Sequence, residues 1–144
     1  MSVVSQIIAR LIAIEPPVFS IVGGTIDFSV INEVPTAVPA AYVLIEEEAS
    51  EPSDLATGPV LQRSEADVAV IIIAGNVSDA AGGAVAGDLE GLKAAVRGAL
   101  VGFVPDAATG EPIEHIGANL LKAKGGYVWH RELFGIATYI QEQA

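Results

Sequence analysis

The sequence predicts an α+β fold, with an antiparallel or mixed β-sheet and two main α-helices packed on one face. Three observations carry this. An apolar stripe at helical spacing opens the chain, a second and longer one lies past its middle, and strand-like runs group between and after them instead of alternating singly with helices. At 144 residues the chain is about one domain long, so residues 1–144 are expected to form a single domain around one core.

Ser2 can cap a first helix in which Val4, Ile7, Ile8 and Leu11 fall at i, i+3, i+4, i+7, with Val3 and Ile12 widening the stripe. Pro16 pushes Glu15 out of helical geometry, so this helix is expected to end near Ile14. A short strand, Val18–Val22, precedes Gly23-Gly24. From Thr25 to Pro39 two readings stay open: Ile26, Phe28 and Val30 alternate like a strand, while Asp27 could cap a helical turn. The continuous apolar run Ala40–Ile45 suits a central strand covered on both faces. Glu46–Asp54 is acidic and rich in breakers, and is expected to be a long exposed loop. Val60–Gly75 reads as a long strand whose polar half, Gln62–Asp67, leaves the core and whose apolar half, Val68–Ile73, enters it. A second helix is expected over Val85–Phe103, with Val85, Leu89, Leu92, Val96, Leu100 and Phe103 on one stripe. Its early acids Asp88 and Glu90 and later bases Lys93 and Arg97 suit the helix dipole. Finally Pro112–Lys124 and Tyr127–Tyr139 form a hairpin about the turn Gly125-Gly126.

Composition narrows the function. Eighteen acids against seven bases give a net charge of -11, which opposes phosphate backbones and anionic lipid, so sequence-specific nucleic-acid binding is not expected. The absence of cysteine excludes disulfides, thiolate chemistry and Cys-based zinc sites. Met1–Ile14 lacks a cleavage pattern and no apolar run approaches the ~20 residues that span a bilayer, so the chain is read as mature, soluble and without a membrane partner.

Candidate chemistry is sparse. The glycine-rich stretch Gly75–Gly87 follows a strand and precedes a helix, but Asp88 stands where a phosphate loop needs lysine, and Asp79 and Asp88 would repel phosphate. A plain connection is the better reading. Asn76-Val77-Ser78 matches a glycosylation sequon without a secretory signal beside it. His115 and His130 lie near Glu114 and Glu132, an inviting metal set. With Lys124 facing Tyr127, however, His130 falls opposite Leu121, and the histidines are expected to stand roughly 20 Å apart. Neither catalytic nor cofactor nor metal residues are therefore assigned.

Charge distribution is more informative. Glu46, Glu47, Glu48, Glu51 and Asp54 gather five of the 18 acids in one segment, while Lys122, Lys124 and Arg131 place three of the seven bases in the terminal hairpin. In the expected register Lys122 faces Trp129 and Arg131 faces Leu120. That face is either a solvated strand with a cation–π contact or an interface, and the five acids, the three bases and Trp129 are the candidate interface set. Opposite charges on different surfaces favour head-to-tail association, which closes into a ring when the rotation per subunit allows.

The opening SQIIARLIAIEP, the strand AAYVLIEEEA, the segment TGPVLQRSEADVAVIIIAGNVSDAAGGAVAGDLEGLKAAVRGALVGFVP and the ending EPIEHIGANLLKAKGGYVWHRELF together resemble the tail terminators of long-tailed bacteriophages, in particular the Gp37-like group. The resemblance implies a two-helix, one-sheet subunit that assembles into a homo-oligomeric ring, commonly a hexamer. Such a ring caps the tail tube and supplies the surface joined by head-completion or neck proteins. It further implies a place in the virion tail near the neck, with assembly in the host cytoplasm, and no enzymatic residue or cofactor. It implies more helix over Thr25–Pro39 than the residues suggest. An acidic ring lumen would let DNA pass, and the Glu46–Asp54 loop would become ordered on assembly. The alternatives are another head–tail joining protein, or a small ligand-binding or metal-dependent domain.

Overall fold

The structure, a computed structural model, describes residues 2–31, 34–53, 55–75, 83–105 and 111–142. Its elements run α1 (Val3–Ile12), β1 (Ile21–Gly23), α2 (Thr25–Ser29), β2 (Ala40–Ser50), β3 (Leu61–Gly75), α3 (Gly83–Leu100), β4 (Glu114–Lys124) and β5 (Tyr127–Gln141). The strands form one sheet in the order β1-β2-β3-β5-β4. Only the β1–β2 pair is parallel, so the sheet is mixed and the α+β expectation holds.

The centre is β3. Its apolar half, Val68–Ala74, is buried throughout, because β2 and β5 close both edges and other elements cover both faces. Val68, Val70, Ile72 and Ala74 point to one face with Ala41, Val43, Phe134 and Ile136, where Ile7 and Leu11 of α1 and Leu92, Val96 and Leu100 of α3 pack on them. This is the shared helix face anticipated from the two stripes. Alternation sends Ala69, Ile71 and Ile73 the other way, where they meet Tyr42 and Trp129 under Phe28, Ile31, Val34 and Val38. The Phe28 and Tyr42 rings lie 5.5 Å apart. The described residues between Thr25 and Pro39 thus form one helical turn and a cover for the second sheet face. The helical option won at α2, where the Asp27 carboxylate accepts the Gly24 N–H at 2.9 Å.

Local chemistry sets the helix ends. The Ser2 hydroxyl accepts the Ser5 N–H at 3.1 Å and begins α1. Arg10, in its last turn, donates Nε–H to the Ala99 carbonyl at 2.9 Å and lies 4.5 Å over the Phe103 ring, which fastens α1 to the C-terminal end of α3.

Two expectations need correction. Glu46–Asp54 is not a loop over its first half: β2 continues to Ser50, pairing Glu47 through Ser50 with Asp67 through Ser64, and the Glu51 N–H donates to the Arg63 carbonyl. Polar side chains exposed on both faces did not prevent a strand, since the ladder needs only backbone groups from the polar half of β3. With β5 running beside it to Gln141, this makes a three-stranded arm formed within one chain. The β4–β5 register also differs from a regular hairpin. Lys124 faces Tyr127 and Lys122 faces Trp129 as expected, but irregularities at Leu121 and Ile116 place Leu120 opposite His130, Asn119 opposite Arg131 and His115 opposite Phe134.

Candidate functional site

The segments that sequence singled out lie at the two edges of this sheet. On the face away from the helices, Lys122 Nζ stands 4.5 Å over the Trp129 ring and the Tyr127 ring lies 6.3 Å from the indole. Trp129 is buried, so the indole is part of the second core while the ammonium stays outside. Arg131 reaches across β3 to Glu46, with Nε–H donating to Oε1 and Oε2 at 2.7 and 2.9 Å and Nη2 closing the fork, and its Nη1 donates to the Asn119 Oδ1 at 2.9 Å. One acid and one base of the candidate set therefore satisfy each other inside the chain. Glu47, Glu48 and Glu51 on the β2 arm and Lys124 at the hairpin tip are exposed and make no ion pair among the described residues. Asp54 lies outside the described residues, as do Asn76–Gly82 of the glycine-rich connection and its sequon.

Sequence reasoning missed a second constellation. The helix-side face of β5 carries Val128, His130, Glu132, Phe134 and Ile136, and Glu132 is fully buried there. His115 Nε2 is 2.8 Å from Glu132 Oε2, His130 Nε2 is 3.5 Å from Oε1, and Arg97 Nη2 from α3 is 2.9 Å from Oε1. The expected separation of roughly 20 Å is overturned. The extra residue at Ile116 and the one at Leu121 shift β4, and the two histidines flank one carboxylate. The clue available in the sequence was the alternation itself: an acid on the same parity as Phe134 and Ile136 needs a partner.

Burial pushes the Glu132 carboxyl up, but the hydrogen bonds from His115 and Arg97 outweigh it, and the group stays below its ordinary range. His130 lies below its ordinary 6.5, chiefly because it is buried, with Lys93 and Arg97 adding to the effect against the pull of Glu132. Its Nε2 has no hydrogen-bond partner, consistent with a neutral ring. For both groups the unfolded chain binds more protons than the folded one, so their stabilisation is present above the unfolded pKa and lost as pH falls through the folded value. The melting temperature is expected to be flat between about pH 7 and pH 9, to decline from about pH 6.5 as unfolded His130 protonates, and to fall again below about pH 4.5 through Glu132. The upper step should vanish in His130→Gln, a comparison that a pH series of thermal melts makes directly.

Arg97 already neutralises Glu132, and among the described residues no group of three or more His, Cys, Asp or Glu side chains is arranged to hold a metal ion. A groove of about 280 Å³ beside the arm is lined by Arg63, Glu65, Asp67, Glu111 and Glu114, with Arg63 bridging to Glu111 at 3.0 Å. These acids carry their own counter-ion. Among the described residues no helix is long and apolar enough to cross a membrane.

The chain matches a family model described as phage tail terminator protein over residues 1–143. A comparison with curated proteins finds no match. Among solved structures, the fold is similar to that of a chain in the virion of a native gene transfer agent particle, at a TM-score of 0.57 and 17% identity, covering 93% of this chain and 92% of that one.

Proposed function

Because the chain belongs to the phage tail terminator protein family and is thus a structural protein of a phage tail, we propose that it closes the tail tube as a homo-oligomeric ring, a hexamer, without catalysing a reaction. The family match along the chain carries this reading. Support comes from the ionisable groups, whose pairing is structural, and from the fold shared with a chain of a gene transfer agent virion. One face of the ring would meet the tail tube protein and the other a head-completion or neck protein, at the neck end of the tail after assembly in the host cytoplasm. The net charge of -11 would keep DNA from adhering as it passes. The Gp37-like group within the family remains part of this proposal.

Light scattering of the purified protein at several concentrations, with and without purified tail tubes, tests it. The expected result is a hexamer-sized species, either free or formed on tubes. A monomer indifferent to tubes would refute the ring.

A further inference from the structure

Resting on the ring reading, we infer that neighbouring copies join sheet edge to sheet edge, the hairpin end of β4 in one copy pairing with the free outer edge of the β2 arm in the next. Both edges are open among the described residues. β4 ends the sheet on one side and is exposed from Ala118 to Lys124. On the other side β1 covers β2 only at Ala40, Ala41 and Tyr42, leaving the outer edge of the exposed residues Ile45–Ser50 unpaired among the described residues. An uncovered strand edge offers a row of backbone donors and acceptors to any strand that fits.

Charge selects the occupant as a second copy. The free β2 edge carries Glu47 and Glu48, with Glu51 just beyond, while the β4 end carries Lys122 and Lys124. The edges lie on opposite sides of the sheet, so their pairing is head-to-tail.

The register is constrained too. Within one sheet Lys122 is level with Ala40, through Trp129 and Ile73, and Glu114 is level with Glu47, through Gly135 and Asp67. An unstaggered neighbour would collide with β1 and set Glu114 against Glu47. Sliding it until Lys122 meets Glu47 removes both conflicts, a stagger of about seven residues or ~23 Å at the usual strand rise. Five strands span ~24 Å across the sheet, so each copy would tilt its strands by about 45°, at the upper end of the tilt with which sheets close into barrels. The strand directions then alternate across the junction, as antiparallel pairing requires.

Two double variants test this: Lys122→Glu with Lys124→Glu, and Glu47→Lys with Glu48→Lys, each checked for a retained melting transition. Light scattering with tubes present should show that each variant alone loses the oligomer. An equimolar mixture should recover it, because every junction in an alternating ring is again between opposite charges. Wild-type mass in either variant alone, or no recovery on mixing, overturns the edge junction while leaving the ring reading intact. A wild-type protein that stays monomeric with tubes overturns both.

Discussion

Replacing Arg97 by alanine is expected to destabilise the protein by about 3 kcal/mol, the lower end of what breaking a buried ion pair costs. Glu132 is fully buried and would keep only His115 within hydrogen-bond distance. The lower end applies because Arg97 is partly exposed and its loss admits water near the carboxylate. For a chain of this size that corresponds to a fall of roughly 10 °C in melting temperature. The double change Arg97→Met with Glu132→Leu should recover most of the loss, since replacing both partners removes the stranded charge. Thermal melts of the single and double variants distinguish the two outcomes. An equally unstable double variant would show that shape, not charge, is what α3 needs from this contact.

Phe134→Ala is expected to cost about 3–5 kcal/mol, the range for emptying a large aromatic site in a core. Phe134 is almost wholly buried among the residues joining β3, β5 and the helices. Its ring meets His115 edge-on, with centroids 5.3 Å apart and planes at 79°, so the same ring that fills the core orients the imidazole bound to Glu132. Phe134→Leu keeps most of the volume and should cost less than half as much in denaturant unfolding. Equal losses in the two variants would assign the effect to the aromatic contact with His115 and not to the cavity.

The sequence foretold these packing arrangements unevenly, for physical reasons. Helical stripes such as Ile7–Leu11 and Leu92–Val96–Leu100 are local signals of buried faces, and all five residues are buried. The double-glycine turn settled the hairpin, and with it the Lys122–Trp129 contact. Register errors entered at Leu121 and Ile116, because an irregularity in a strand leaves no mark in composition and each one reverses the parity of the residues beyond it. Together the two restore the parity but move His115 two residues along β5, from opposite Ile136 to opposite Phe134, which is why the Glu132 cluster was not legible although each of its members was. The arm was missed by the opposite fault. Glu46–Ser50 has the composition of a loop, and only its non-local partners Ser64–Asp67 make it a strand.

The buried half of β3 has one more consequence, in the timing of synthesis. Val68–Ala74 is an uncharged run of strand-forming residues without proline, the kind of segment that seeks partners when bare. One native partner, β2, precedes it on the chain, but the other begins at Tyr127, more than fifty residues later. At ordinary translation speeds of about 5–20 residues per second, the ribosome would take roughly 3–10 s to deliver it. During that interval the open side of β3 has as neighbours Arg63, Glu65 and Asp67 upstream and Gly75 downstream. These are residues of the type that guard hydrophobic strands against mispairing. The charged arm thus acquires a task before the protein is finished: keeping a nascent chain single until its last strands arrive.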